Sequence, residues 1–506
     1  MPDDTTEADE KSTERMAISF LLGLTDPTAE SMVTFITPGR DADGQVDTEA
    51  GTTTAKDALG APDEFPLDVE FTLDDGLFPW SLSTPWLDHE LWQGTDFIAP
   101  GERGDAEEHS LATILDGLGA LHSSLLECDK LYDGVFDTDL ARSIFTTENR
   151  ETFVGAYYRL AHPDFPITHR ASFHAETAAP ALLLAIFLLG SMHVPPRDGV
   201  SGTRVFFDIA EEYIFRHLDA QLGRSGKPTE TMELYQSLQA ALLIHCLQFS
   251  MQCERTRRRN RVLRLPILVS AIRTLGFASI RHGGEESLPE WSSFIQEETK
   301  LRIATWTALA DWQQGGMFLA PSLTTIHELK GDFPCLSELW EAGTEEEFHA
   351  AIASMGGVAT SCWLRRASIR QAMQALTNPG PAWSGIASFP LRNTTVHDLH
   401  LLIYALHSVV RTSALTALLP ASTSALSIAI SRWGEIWKTV ATSLGPDRLR
   451  KSGLARHSPE LCWLAKKIVE GVASGDERLL KAKYLQEVAH DSLDELHELI
   501  QLFRDI

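Results

Sequence analysis

The sequence predicts an all-α protein, a bundle of helices that follows an acidic and largely disordered N-terminal arm. From about residue 110, apolar residues recur mostly three and four positions apart, and alternating runs are scarce. Clusters of Pro and Gly separate the apolar stretches and act as helix breakers. We expect helices at 148–161, 177–193, 205–222, 229–253, 260–276, 291–315, 346–376, 395–417, 423–445, 457–473 and 477–503.

The composition is that of a large globular protein with an excess of acid. The chain has 506 residues, 43% of them hydrophobic, with 70 acidic and 43 basic side chains and a formal net charge of -27. This length allows one large domain or two to three ordinary ones. The charge argues against nucleic-acid binding by the whole molecule, because phosphate contacts need clustered Lys and Arg, but it leaves room for a basic patch.

The cysteines and the apolar stretches indicate a soluble protein of a reducing compartment. The six Cys are scattered, and no pair has the C-x2-C or C-x4-C spacing of a zinc finger. The first ten residues are acidic, unlike a signal peptide. The most apolar stretch, 178–192, is short for a membrane span and contains Pro180 and Gly190, so we expect a buried core helix and no membrane partner.

Most of the acidity lies in the first fifth of the chain. Residues 1–110 contain 26 Asp and Glu against five Lys and Arg. Within this arm, 63–98 alternates carboxylates with large apolar side chains, a composition typical of activation segments that bind a partner's apolar groove. An alternative is a strand or an autoinhibitory strap packed on the domain. The activation-like aromatic residues are Phe71, Phe78, Trp80, Trp86 and Trp92.

Residues 157–192 resemble the opening of the fungal-specific transcription factor domain, also called the middle homology region. The family motif is His-Pro-x-Phe-Pro-x-x-His-Arg-x-x-Phe, followed by an apolar helix that ends in a small residue. The prolines of the motif stop one helix and set an extended turn, and its phenylalanines can anchor that turn on the core. The matching positions are His162, Pro163, Phe165, Pro166, His169, Arg170 and Phe173.

Three further stretches resemble parts of the same family. The segment 291–316 is similar to a family helix, in which Glu298 and Arg302 stand four apart and can pair on one face; its matching residues are Trp291, Phe294, Ile295, Glu298 and Arg302. Pro334, Cys335, Leu339 and Trp340 are in register with an acidic-leucine segment. Phe20 to Pro27 resembles a short box in the linker of members with paired zinc fingers.

The resemblance implies three parts: an arm at 1–110, the regulatory domain at 111–345 and its helical continuation at 346–506. Family members usually carry an N-terminal zinc module that reads DNA, but here no Cys precedes Cys128 and no His precedes His89. Small zinc modules do not fold without their metal, so zinc is expected only in relatives that keep its ligands. Either the reader was lost, or the sequence starts too late, or the protein works through a partner.

A run of arginines allows three interpretations. Arg255, Arg257, Arg258, Arg259 and Arg261 could form a nuclear-import signal, a patch that contacts phosphate, or the solvated face of a helix. In the last interpretation the apolar face of that helix is Val262, Leu263, Leu265, Ile267 and Leu268.

No pattern in the sequence assigns a catalytic, cofactor-binding or metal-binding residue. Nucleotide loops, nucleophile elbows and metal-ligand spacings are missing from the sequence. His162 is expected to hydrogen-bond a backbone group of its turn. A metal or acid-base site would need several of His162, His169, His174, His193 and His245 to converge. Trp306, Trp312, Trp340 and Trp363 could line a cavity for a small effector, or could be plain core.

Two functions follow as expectations. The first is a nuclear regulator of RNA polymerase II transcription that controls a biosynthetic or catabolic gene cluster. It would act through a coactivator or a DNA-bound transcription factor, as a homo- or heterodimer that docks through helices such as 477–503. The second is a small-molecule-binding protein or a metabolite-rearranging enzyme that uses His and Trp of the helical interior.

Overall fold

The computed structural model describes most of the chain beyond residue 105 and one short segment before it. The described residues are 18–29, 106–130, 132–194, 200–223, 228–251, 253–283, 289–355, 364–378, 380, 383–486 and 491–504. In these ranges the structure is helical and contains no strand; one isolated antiparallel bridge joins Asp332 and Ser368. The predicted all-α class is confirmed.

The helices of the first half precede and follow the family motif along the chain. Two of their turns, Tyr157–Ala161 and Asn260–Arg264, are π-helical. The α-helices there are Ser19–Leu24, Ala106–Cys128, Thr138–Ile144, Thr147–Ala156, Pro180–Ser191, Phe207–Leu222, Met232–Ser250, Glu254–Arg259, Leu265–Leu275 and Trp291–Phe318.

The second half continues with shorter helices and two long ones. These helices are Ser337–Trp340, Glu345–Ser354, Ile369–Thr377, Val396–Leu415, Leu419–Leu444, Pro446–Arg450, Ser458–Ser474, Glu477–Leu480, Lys483–Gln486 and Asp494–Arg504. None of the helices in the described ranges is both long and apolar enough to cross a membrane.

The helix Pro180–Ser191 lies at the centre of the main core. Every residue from Ala181 to Ser191 is buried, as expected for a helix that is apolar on all sides. Gly190 permits a close approach to the helix Thr147–Ala156, since a Cβ built at Gly190 would lie 1.9 Å from the carbonyl oxygen of Phe153. The small residue at the end of this helix therefore has a packing role.

The prediction of one helix over 346–376 was wrong. Glu345–Ser354 ends, and the next helix, Ile369–Thr377, begins with its own cap. The Ser368 hydroxyl accepts from the backbone N–H of Gln371, and the Gln371 side chain accepts in return from the backbone N–H of Ser368. The first backbone N–H groups of a helix have no partner within the helix, and this capping box supplies acceptors for two of them. A new helix therefore starts at Ile369, inside the predicted one.

The prediction of one docking helix over 477–503 was also wrong. The stretch contains Glu477–Leu480, Lys483–Gln486 and Asp494–Arg504. In the last of these, Leu496, Leu499, Ile500 and Phe503 are buried in the chain's own core. The apolar face that we expected to contact a partner is therefore buried within the chain itself.

Part of the predicted acidic arm is an ordered helix packed on the C-terminal region. The backbone N–H of Leu21 donates to Oε2 of Glu460 at 2.9 Å. The ring of Phe20 stacks on His457 with 4.0 Å between centroids, and Oγ1 of Thr25 lies 2.9 Å from Nδ1 of His497. The box at 20–27 is thus a docked element, whereas 30–105 lies outside the described residues. The domain division stays a prediction.

Candidate functional site

The family motif forms a compact turn directly after a π-helical turn. The backbone N–H of His162 donates to the carbonyl of Tyr157 at 2.8 Å, and the chain then leaves the helix at Pro163. Inside the turn, Nε2 of His162 lies 2.7 Å from the carbonyl oxygen of Thr168. The hydroxyl of Tyr157 lies 3.0 Å from Oγ1 of Thr168. The predicted backbone contact of His162 is confirmed.

The second motif helix supplies a buried ion pair. Glu298 and Arg302 are buried on the helix Trp291–Phe318, and Nε of Arg302 donates to Oε1 of Glu298 at 2.6 Å. The predicted pairing on one helical face is confirmed. The carboxylate of Glu298 also accepts from the backbone N–H of Cys335 at 2.8 Å and lies 2.6 Å from Nε2 of His282. Both of its oxygens therefore have hydrogen-bond partners.

Arg302 connects the separate motif stretches to each other. Its two terminal nitrogens donate to the carbonyl oxygens of Pro166, at 2.9 Å, and of Cys335, at 3.1 Å. Its guanidinium lies over the ring of Trp340, 4.3 Å from the centroid, where a cation–π contact adds to the hydrogen bonds. We call the set of Glu298, Arg302 and their partners the arginine hub. One side chain thus holds the motif turn, the long helix and the Pro334–Trp340 stretch together.

The other motif residues lie around this hub in distinct environments. Nε2 of His169 lies 3.2 Å from the carbonyl oxygen of Ala342, and its ring meets Trp340 and Trp291 edge-on at 5.0 and 5.9 Å. Phe165 and Phe173 are partly buried against the main core. Pro163 and Arg170 are exposed, with the Arg170 guanidinium 5.9 Å from the Tyr158 ring centroid. The carbonyl of Pro334 accepts from Arg366.

Burial sets the protonation states around the arginine hub. Burial alone would raise the pKa of Glu298, but the Arg302 guanidinium and His282 hold that pKa below its ordinary value. Burial lowers the pKa of both His162 and His169 from 6.5 to about 4. At neutral pH Glu298 is therefore ionised and both imidazoles are neutral, each positioned by a backbone carbonyl.

A small cavity lies beside the motif turn. It has a volume of about 60 Å³, and its lining includes Asp164, Phe165, His193, His245 and Tyr404. Burial lowers the pKa of His193 and of His245 to about 4 and raises that of Asp164 to about 7. A cavity of this size holds a few water molecules, since one water needs roughly 10–15 Å³.

For the described tryptophans the structure favours the interpretation as plain core, and Trp363 lies outside the described residues. The described tryptophans do not line this cavity: Trp306 and Trp340 flank Arg302, and Trp312 is fully buried. Of the five histidines considered, His193 and His245 line the cavity, and His174 is exposed. Among the described side chains, no three His, Cys, Asp or Glu come together as metal ligands would.

The arginine run is largely built into the fold. Arg257 is buried and donates to the carbonyl of Asp491 at 3.3 Å. Arg259 binds Asp208 and Glu211, each at 2.7 Å. Arg261 binds Asp491 at 2.8 Å, so only Arg255 and Arg258 of the five are exposed. The interpretation as a solvated face is therefore wrong for most of the run, and its use as an import signal stays a prediction.

The predicted apolar face that follows this run was partly wrong. Val262 is 43% exposed and Leu263 is 51% exposed. Both lie in the π-helical turn Asn260–Arg264, whose extra residue rotates the face relative to the α-helix that begins at Leu265. Leu265 and Leu268 are buried as expected.

The activation-like aromatic residues cannot be placed, and some contacts in the structure were not predicted. Phe71, Phe78, Trp80, Trp86 and Trp92 lie outside the described residues. Sequence reasoning missed His282, which contacts Glu298 from a loop, and the pair of Arg366 and Asp398, which are 2.7 Å apart. No local pattern could have found them, because each partner lies sixteen or more positions away.

Comparison with known proteins finds a family model that matches the region of the motif turn and of the arginine hub. Residues 154–373 match the fungal specific transcription factor domain. The chain is 24% identical over 366 aligned residues to a transcription factor named verF from Penicillium polonicum, an alignment that covers 66% of this chain and 49% of the relative. The chain thus spans about half the length of the curated relative it matches. No solved structure matches it.

Proposed function

Because the chain belongs, through residues 154–373, to the family of the fungal specific transcription factor domain, we propose that it regulates transcription. The observation that carries this proposal is the arginine hub. The family motifs lie far apart in the sequence, yet Arg302 contacts the turn at Pro166, the carbonyl of Cys335 and the ring of Trp340. Motifs that meet around one side chain support inheritance of the whole regulatory domain.

The proposed site of action is the nucleus, and the proposed targets are RNA polymerase II genes of a biosynthetic or catabolic cluster. The similarity to verF, a transcription factor, supports the regulatory part of this proposal. The chain would act through a coactivator or a DNA-bound transcription factor. The proposed contact with that partner is the acidic, aromatic stretch at 63–98, whose composition suits a partner's apolar groove.

A reporter assay tests the regulatory role. The full chain is fused to an unrelated DNA-binding domain and compared with a variant in which Phe71, Phe78, Trp80, Trp86 and Trp92 are replaced by alanine. We expect activation by the native chain and loss of most of it in this variant. A control variant with Ser81, Ser83 and Thr84 replaced by alanine, in the same stretch, should activate like the native chain. No activation by any of the fusions would contradict the proposal.

One observation favours an enzyme or small-molecule binder as a second candidate function. His193 and His245, both with a pKa lowered by burial to about 4, line the small cavity beside the motif turn. At about 60 Å³ that cavity is far smaller than the roughly 300–1,000 Å³ typical of ligand sites, so we rank this function second. Deleting the gene separates the two: a regulator changes many transcripts, whereas an enzyme leaves them intact and one intermediate accumulates.

A further inference from the structure

A wide cleft borders the arginine hub at Cys335 and lies between the segments 335–355, 364–366, 386–397 and 439–452. Its volume is about 1000 Å³, the upper end of the range for small-molecule sites. The apolar part of its lining includes Leu336, Leu391, Val440 and Leu444. Several of these side chains are only partly buried, so the cleft offers apolar surface to a ligand.

Every charged residue in the lining of this cleft is basic. Arg365, Arg366, Arg392, Arg448 and Lys451 line it, and no described lining residue is Asp or Glu. This one-sided charge is notable because the chain as a whole carries a formal charge of -27. A concave site lined by one sign of charge concentrates its potential and attracts ions of the opposite sign.

Only one of these five cations is neutralised by the fold. Arg366 binds both carboxylate oxygens of Asp398, at 2.7 and 3.1 Å, and so joins two walls of the cleft. The nearby Asp447 is engaged by Arg450.

The four remaining cations stay uncompensated. Arg365, Arg392, Arg448 and Lys451 are exposed, and no described side chain forms an ion pair with them. An anion that enters the cleft can therefore pair with them without breaking an existing ion pair.

We propose that this cleft binds an amphipathic organic anion. The apolar body of the ligand lies on the Leu336, Val440 and Leu444 surface, and its carboxylate, sulfonate or phosphate group lies among the free arginines. Arginine suits this role because its planar guanidinium binds such groups through paired hydrogen bonds. The inference rests on the cleft alone and does not require the proposed regulatory function.

The test uses the purified full chain and 8-anilinonaphthalene-1-sulfonate, a fluorescent probe with an apolar aromatic body and one negative charge. N-phenyl-1-naphthylamine has the same body without the sulfonate and serves as the neutral comparison. We expect the charged probe to bind the native chain. In the double variant Arg392→Gln/Arg448→Gln, the Kd of the charged probe should be about tenfold higher. The Kd of the neutral comparison should stay within twofold.

Two further variants keep the outcome interpretable. Thr439→Glu places a carboxylate in the cleft from an exposed helical position, so it should also raise the Kd of the charged probe without removing any ion pair. Arg255→Gln/Arg258→Gln makes the same change in net charge at exposed positions outside the cleft and should leave the Kd within twofold. An unchanged Kd in both cleft variants, or an equal loss in the Arg255/Arg258 control, would overturn the proposal.

Discussion

The buried side chains of Glu298 and Arg302 are joined by a 2.6 Å hydrogen bond between Nε of Arg302 and Oε1 of Glu298. Arg302 uses its other donors on the carbonyls of Pro166 and Cys335, which belong to different segments of the chain. An ion pair in this position does more than link two turns of one helix. It fixes where the motif turn and the Pro334–Trp340 stretch lie on that helix.

Replacing Arg302 by methionine should therefore destabilise the fold strongly. The substitution keeps the length of the apolar stem but leaves Glu298 buried without its cation, and breaking such a pair costs about 3–5 kcal/mol. Urea unfolding measures the change. The matched control is Lys481→Met, which breaks an exposed pair with Glu477 and should change the free energy of unfolding by less than about 1 kcal/mol.

The double variant Glu298→Gln/Arg302→Met tests whether this loss arises from the unpaired charge. The glutamine side chain introduced at position 298 is neutral and keeps an acceptor for the backbone N–H of Cys335. The double variant should be more stable than the sum of the two single losses predicts, by at least about 1 kcal/mol. Strict additivity, or a loss below about 1 kcal/mol in Arg302→Met, would show that the hub does not stabilise the fold as argued.

A second stability prediction concerns the contact between the helices Thr147–Ala156 and Pro180–Ser191. Gly190→Ala would place a Cβ 1.9 Å from the carbonyl oxygen of Phe153, so the helices must separate. We expect a loss of about 1–3 kcal/mol in thermal or urea unfolding. Gly434→Ala is the control, because its Cβ would meet nothing within 4 Å; it should gain up to about 1 kcal/mol from helix propensity. Equal effects at the two glycines would contradict the close approach.

The features that sequence reasoning found are those set by local geometry. The spacing of apolar residues predicted the buried helix Pro180–Ser191, and the i, i+4 spacing predicted the pairing of Glu298 with Arg302. Whether the pair is buried could not be predicted, because it depends on partners up to 136 positions away. The break before Ile369 is different: the capping box of Ser368 and Gln371 is a local pattern that the sequence reasoning overlooked. The apolar face at 496–503 is visible in the sequence, but one of the helices that pack against it, Ser19–Leu24, lies at the other end of the chain.

Replacing His162 should change how stability depends on pH. Burial lowers the pKa of His162 from 6.5 to about 4. Between these two pH values the imidazole is protonated in the unfolded chain and neutral in the folded chain. Stability is therefore full above pH 6.5 and falls as the pH decreases towards 4. In His162→Gln, whose amide can still donate to the carbonyl of Thr168, this fall should be smaller by about 2–3 kcal/mol between about pH 6.5 and 4.5.

Urea titrations at these two pH values measure the difference. His174→Gln replaces an exposed imidazole outside the turn and should leave the pH dependence as in the native chain. If His162→Gln and the native chain lost equal stability between the two pH values, the imidazole would not be kept neutral by burial.

Asp164 should produce the opposite pH dependence. Burial raises its pKa from 3.8 to about 7, although the backbone N–H of Leu454 partly offsets this. The contribution of this carboxyl to the free energy of unfolding is thus full below pH 3.8 and is lost as the pH rises through 7. Asp164→Asn keeps the acceptor and stays neutral, so it should be more stable than the native chain at about pH 8, by at least about 1 kcal/mol. Its advantage should vanish near about pH 4; a constant difference across this range would contradict the raised pKa.

Amide hydrogen exchange can test whether the N-terminal helix is docked on the C-terminal region. Phe20 is buried and stacks on His457, while the neighbouring Leu21 N–H donates to Glu460. Phe20→Ala removes the stacked ring from a six-residue helix, which is too short to persist by itself. The hydrogen bonds of Leu21 and Thr25 and the buried side chains of Leu21 and Leu24 remain. Amide hydrogen exchange at residues 19–25 should then accelerate at least about tenfold, with little change in the helix Trp291–Phe318.

The exposed neighbour Ser19, changed to alanine, provides the control and should leave exchange unaltered. Equal exchange in Phe20→Ala and the native chain would mean that the aromatic stack does not hold this segment in place.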